Sequence, residues 1–245
     1  MHTFYHFGRY FMLLHRTFRK PEKWKVFFRQ LFRELENLGL NSIGIVLIIS
    51  FFIGAVLAIQ TAYNMENPLL PNYLIGLMVR DTMLLEFSST IVALILAGKA
   101  GSSICSEIGT MRISEQIDAI EIMGVNSASY LILPKVVAAV LFFPLLSILS
   151  MFVGIFGGWI TIIIKGLTTS AEYIAGLHYS VQFYYIGYSL IKMAVFAFVI
   201  ASVPAYHGYY VNGGSLEVGK ASTRSVVYSS ILVLMFNLIL TQLLL

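Results

Sequence analysis

Charge is scarce in this chain. Its 245 residues include 16 Lys and Arg and 12 Asp and Glu, 11% in all, against 58% hydrophobic residues. A soluble globular protein carries about 25% charge, so a soluble domain is excluded. Cysteine is nearly absent as well. The single Cys105 allows no internal disulfide and reads as a small packing residue. There are five histidines, and no pair stands at i, i+4 beside an acid, which excludes a zincin-type metal site. Ser102 and Ser103 have no histidine at a spacing that signals nucleophilic catalysis. No Walker A motif occurs, so any ATP that drives this protein is bound by another chain. The net charge of +4 is not interleaved with a soluble fold and does not signal nucleic acid. No small-residue cleavage site follows a short apolar core near the start, so no cleavable signal peptide is expected. No internal repeat is visible.

What is present is apolar and arranged in runs of about twenty residues, the length that crosses a hydrocarbon core of ~30 Å as helix. Five spans are expected, over residues 43–63, 82–104, 130–164, 184–206 and 225–245. The third is long for one upright span. It contains Pro134 and Pro144 but no turn signal, so it reads as one tilted or kinked helix. The second is weak, with Asp81 and Glu86 at one end and Lys99 at the other.

Residues 1–38 form an arm that mixes aromatic and basic side chains. Trp24, Phe27, Phe28, Leu31, Phe32 and Leu35 recur at three and four, one face of a helix. A basic helix with that face lies in the membrane interface plane; the other reading is a solvated arm. Arg9, Arg16, Arg19, Lys20, Lys23, Lys25, Arg29 and Arg33 all precede the first span. The segments 98–135 and 207–224 hold Lys99, Arg112, Lys135, Lys220 and Arg224, and the alternate segments 64–81 and 165–183 only Arg80 and Lys165. The positive-inside rule then places the N-terminus in the cytoplasm and the C-terminus in the periplasm. Segments 64–81 and 165–183, with Pro68, Pro71, Tyr73, Tyr173, Tyr179 and Phe183, read as external loops. The fold class is all-α: a polytopic membrane protein with an interfacial amphipathic helix and five transmembrane helices.

Between the second and third runs lies GKAGSSICSEIGTMRISEQIDAIEIMG, residues 98–124. Lys99, Glu107, Arg112, Glu115, Asp118 and Glu121 gather there. Ser114 reads as an N-cap, the acids after it suit a helix start, and Gly124 reads as a C′ stop. Two readings stand from spacing alone: a helix that docks in a partner's groove, and an ordinary loop helix. Glu86 and Lys192 fall inside spans. An ionisable group there costs at least ~2.5 kcal/mol and faces a cavity or a partner rather than lipid. Gln60, with Leu57 and Tyr63 nearby, lines either a lipid path or an ordinary helix contact. Gly154 and Gly158, and the run Gly98 to Ser103, suit close helix approach.

The segment AGKAGSSICSEIGTMRISEQIDAIEIMG at 97–124 resembles the signature of the MlaE/YrbE family of lipid ABC-transporter permeases. GGSLEVGKASTRSVVYSS at 213–230 is similar to that family's stretch before its last span, and the topology agrees, so the resemblance covers nearly the whole chain as a single permease domain. It implies a coupling helix over 110–124, with Arg112, Glu115, Gln116, Asp118 and Glu121 at the contact with a cytoplasmic ATPase. It implies a phospholipid cavity near Glu86 and Lys192 between two copies of the chain. It also implies a periplasmic MCE-domain protein, in some systems a STAS-domain helper, a place in the bacterial inner membrane, and a part in outer-membrane lipid asymmetry. No cofactor is implied for this chain itself. Two departures stand. Leu85-Glu86-Phe87-Ser88-Ser89 replaces the family's Arg-Glu-Leu-Gly-Pro, and Asn237 stands where the family often has aspartate. The rival classes are a proton-driven secondary transporter acting through Glu86, and an intramembrane enzyme or scaffold built on Glu86 and Lys192.

Overall fold

A computed structural model describes residues 2–18, 24–65 and 71–245; Arg19, Lys20, Lys23 and Pro68 lie outside the described residues. Among these residues the chain is helical, without a strand. The helices are α1 (His2–Thr17), α2 (Trp24–Asn64), α3 (Tyr73–Ile113), α4 (Gln116–Ile122), α5 (Ser127–Lys165), α6 (Ser170–His178), α7 (Tyr184–Tyr209) and α8 (Ser215–Leu244). Five of them, α2, α3, α5, α7 and α8, are long and apolar enough to cross a membrane. The 39 residues of α5 form one unbroken helix through Pro134 and Pro144, about 58 Å at ~1.5 Å per residue. Stretches of wider π-helix interrupt α2 at Leu35–Leu40 and α3 at Met83–Ile91 and Ala97–Gly101.

The structure departs from the sequence reading in three places. Residues from Tyr73 on, read as an external loop, are already the first turns of α3. Part of the segment 165–183 is the helix α6, started by a capping box in which Thr169 and Glu172 bond each other's backbone N–H. At the N-terminus, α1 is a separate helix with no acid in its sequence, where only a mixed arm was expected.

The chain folds as two compact units: one of Met1–Ser42, Ala93–Phe142 and Ala194–Ile239, the other of Ile43–Val92, Phe143–Met193 and Leu240–Leu245. In the first, α1 lies on α7. Leu13 and Thr17 are buried, His6 Nδ1 is 2.8 Å from the Tyr206 hydroxyl, and the Tyr10 hydroxyl is 2.7 Å from Ser202 Oγ. Phe27 and Leu31 of α2 pack against Leu133 and Ala138 of α5. The partners of the same apolar stripe, Trp24, Phe28 and Phe32, are exposed. Beside this core Lys135, 2% exposed, bonds Glu34 at 2.7 Å and Glu107 at 2.6 Å, joining α2, α3 and α5. Gly208 lets α7 meet α3 closely: a Cβ there would sit 2.6 Å from the Cys105 carbonyl oxygen, and Cys105 itself is buried.

In the second unit Ala58, Ile75, Val79, Met83, Ile162 and Tyr173 form the core. Gly154 of α5 packs directly on Gly54 of α2, with no room for a side chain. This is the small-residue helix contact that membranes favour, since lipid tails offer no hydrophobic gain for bringing helices together. Arg80 is buried against Asp81 and donates to the Leu177 and Tyr179 carbonyls at 2.8 Å, tying α3 to the end of α6.

Candidate functional site

Two polar features stand out, one in each unit. The first is centred on Lys192 of α7. Its side chain is fully buried in a helix whose neighbours are almost all apolar. A bare ammonium there is costly, so it must find acceptors. It finds Glu86 Oε1 at 3.0 Å, the Tyr188 hydroxyl one turn earlier at 2.9 Å, Thr241 Oγ1 at 3.3 Å and the Leu85 carbonyl at 3.4 Å. Glu86 sits in the π-helical stretch of α3, whose wider turns commonly mark functional sites. Its other oxygen accepts from Thr90 at 3.3 Å. Ser89 bonds back to the Glu86 carbonyl at 3.3 Å. Ser88 and Ser147 each lie 3.4 Å from Ser189. Of the two residues singled out from the sequence, Lys192 is thus hidden, whereas the Glu86 side chain remains 38% exposed. The cluster has its negative member facing outward and its positive member sealed inside.

Gln60, Leu57 and Tyr63 also belong to the second unit. Leu57 packs against the core. Gln60 and Tyr63 are exposed on α2, Tyr63 by 65%. Sequence reasoning missed Tyr188 and Thr241. A tyrosine four residues before an intramembrane lysine is on the same helix face and was the available signal for the first. Thr241 comes from the far end of the chain, and nothing local points to it.

The second feature is the segment between α3 and α5, which lies outside the candidate spans. Ser114 does not cap α4 as expected. It ends α3, its hydroxyl bonded to the Thr110 carbonyl at 2.8 Å. Glu115 precedes α4 instead, in the left-handed conformation with φ 58° and no side-chain cap. Gly124, with φ 81°, does turn the chain after α4. Ile117 is fully buried and anchors α4. The five polar residues singled out here fall into three sets. Arg112 and Asp118 pair with each other at 2.6 Å. Glu121 Oε1 accepts from Ser127 Oγ at 2.7 Å and from the Tyr209 hydroxyl at 2.8 Å. These two bonds, chiefly, hold the Glu121 carboxyl below its ordinary range, with Arg16 and Arg112 adding to the effect. Glu115 and Gln116 are exposed. The most outward side chains are apolar and were not singled out: Ile122 is 86% exposed and Met123 71%.

Five apolar helices long enough to span a membrane, with a half-buried ion pair and a short charged helix outside the spans, define a polytopic membrane protein. The chain belongs to the Permease MlaE family, whose profile matches residues 31–243. It is 34% identical over 218 residues to a probable ABC transporter permease protein of Rickettsia bellii, covering 89% of this chain and 84% of the relative. It is 33% identical over 232 residues to the intermembrane phospholipid transport system permease protein MlaE of Haemophilus influenzae, covering 94% and 88%. A third relative, the chloroplastic protein TRIGALACTOSYLDIACYLGLYCEROL 1 of Arabidopsis thaliana, is 29% identical over 90% of this chain and 63% of its own length. The family is one of ABC-transporter permeases, a transporter family and not an enzyme family.

Proposed function

We propose that this chain is the permease subunit of an ABC transporter that moves phospholipids between the inner and outer membranes of a bacterium. It works as a homodimer in the inner membrane, with a separate cytoplasmic ATPase, a periplasmic MCE-domain protein and, in some assemblies, a STAS-domain subunit. The observation that carries the reading is the match over 94% of the chain to a relative named for phospholipid transport. The geometry supports it. A sealed ammonium beside an outward-facing carboxylate suits a zwitterionic or phosphate head group in an otherwise apolar path, and Gln60 and Tyr63 on α2 are exposed to line it further along. The N-terminus is cytoplasmic, and α1 and the start of α2 lie in the membrane interface. Exposed Phe7, Phe11, Trp24, Phe28 and Phe32 on helices rich in base support that placement.

The coupling helix is α4. Arg112, Glu115, Gln116, Asp118 and Glu121 shape and surround the contact, and Ile122 with Met123 enters an apolar cleft on the ATPase. An exposed apolar pair rimmed by charge, on a segment outside the spans, fits a partner contact. ATP binding closes the ATPase pair, α4 moves with it, and the spans narrow the lipid path.

The test is purification of the tagged protein in mild detergent, with mass spectrometry of co-purifying proteins and lipids, followed by lipid transfer in proteoliposomes. An ATPase, an MCE-domain protein, bound phospholipid and ATP-dependent transfer are expected, and Ile122→Glu should abolish ATPase recovery. Transfer driven by a proton gradient without ATP would replace this reading with a secondary transporter.

A further inference from the structure

Three oxygen atoms meet where α4, α5 and α7 end or begin. Glu121 Oε1 lies 2.7 Å from Ser127 Oγ and 2.8 Å from the Tyr209 hydroxyl, and those two hydroxyls are 2.7 Å apart. Two hydroxyls bring two hydrogens to three short sides, so at most two sides are hydrogen bonds at once. Directing both at an ionised carboxylate makes both charge-assisted, roughly twice as strong as neutral bonds. Ser127 is the first residue of α5 and Tyr209 the last of α7. Both are buried, at 1% and 4% exposure, so neither hydroxyl has water as an easy alternative. The carboxylate also sits at the N-terminus of α5, where the helix dipole favours negative charge. One turn away, Asn126 Nδ2 donates to the Arg16 carbonyl at 2.9 Å, which brings the end of α1 to the same place.

This arrangement changes what Glu121 is for. Glu121 is exposed, yet its Oε1 is gripped by two buried donors on two long helices, so its hydrogen bonds are spent within this chain. We infer that Glu121 is a positioning residue: Ser127 and Tyr209 clamp it so that α4 moves as one piece with the ends of α5 and α7. The inference rests on the reading of α4 as the ATPase contact. The partner touches Ile122 and Met123, next in the chain, and the clamp passes the displacement to the two long helices. Without it the segment still has Ile117 as anchor and the Arg112–Asp118 pair as brace, so α4 keeps its shape and loses its connection.

The experiment uses the complex of this permease with its ATPase, reconstituted in liposomes. It compares wild type with the double substitution Ser127→Ala, Tyr209→Phe, and with Glu121→Gln and Glu121→Ala. Three quantities are read: ATPase recovered with the permease, ATP hydrolysed, and lipid transferred per ATP. In the double variant, recovery and hydrolysis should stay within about twofold of wild type while lipid per ATP falls about tenfold, an ordinary size for a coupling free energy. Glu121→Gln keeps an acceptor oxygen and should retain more transfer per ATP than Glu121→Ala. An unchanged lipid-to-ATP ratio in the double variant overturns the inference. So does a loss of transfer that only tracks lost ATPase recovery, which marks a general folding defect. If wild type itself recruits no ATPase, the transporter reading falls first, and the clamp's role falls with it.

Discussion

Removing either member of the Glu86–Lys192 pair breaks the same 3.0 Å contact, yet the two losses should differ in cost. Losing one partner of a buried ion pair costs about 3–5 kcal/mol, because the other charge is left uncompensated. Glu86→Gln leaves the Lys192 ammonium fully buried. The Tyr188 and Thr241 hydroxyls and the Leu85 carbonyl still accept from it, so the cost belongs at the low end, about 3 kcal/mol. Lys192→Met leaves a carboxylate that is 38% exposed and still accepts from Thr90. If that exposed face meets water or a lipid head group, the loss resembles that of a surface pair, about 1 kcal/mol. A gap of about 2 kcal/mol corresponds to roughly 4–8 °C in melting temperature for a chain of this size. The assay is thermal unfolding of the purified protein in detergent, with the double variant closing a double-mutant cycle. The double variant should fall near Lys192→Met alone, since it contains no orphaned charge, giving a coupling of about 3 kcal/mol. Lys192→Met equal to or worse than Glu86→Gln would refute the argument. It would mean that the exposed side of Glu86 faces hydrocarbon, where a lone carboxylate is as costly as a buried ammonium.

Two further outcomes follow from the same reasoning. Lys135→Met should lower stability by about 3 kcal/mol, Glu107→Gln, whose side chain is 50% exposed, by no more than about 1 kcal/mol, and adding Glu34→Gln to Lys135→Met should recover part of the loss, all read by the same melting assay. Glu172 is held at about 2 by hydrogen bonds from Thr168, the Thr169 backbone and hydroxyl, and Asn72. A carboxyl lowered in this way stabilises its helix above the ordinary value of 4.5 and loses that contribution as pH falls from 4.5 toward 2. Hydrogen-exchange protection of the first turn of α6 should therefore be flat from pH 5 to 8 and drop below 4 (protection factors correct for the intrinsic rate), and Thr168→Val, which removes the strongest donor, should weaken the dependence.

Much of the architecture was written locally. Runs of apolar residues specify helices long enough to span a bilayer whatever they pack against, because backbone groups in hydrocarbon must bond within the segment. The single helix α5 followed from the absence of a polar turn signal over its length, and Gly124 marked the end of α4 because a position with φ 81° suits glycine best. The signature at 97–124 was legible for the same reason, as polar residues of set order in an apolar chain. Where local rules compete, they misled. Ser114 has the chemistry of an N-cap, but it had a carbonyl in the turn behind it to bond, and Glu115 took the break between helices. The helix α6 was missed because its length is short and its capping pair lies inside a segment that also carries loop residues.

What the sequence by itself determined was the class of the molecule and which ionisable residues could not face lipid. Which groups those residues meet was decided by the tertiary structure alone. Lys192 reaches Thr241, Lys135 reaches Glu34, and Glu121 reaches Tyr209 across 49, 101 and 88 positions of chain. No periodicity spans such separations, since local pattern fixes only which face of a helix a residue occupies. The partner on that face is set by how helices cross, and that depends on where Gly54, Gly154 and Gly208 let backbones touch. The cost of an unpaired charge away from water makes those long-range pairings obligatory, so tertiary packing turned scattered charges into a half-buried ion pair and a clamp.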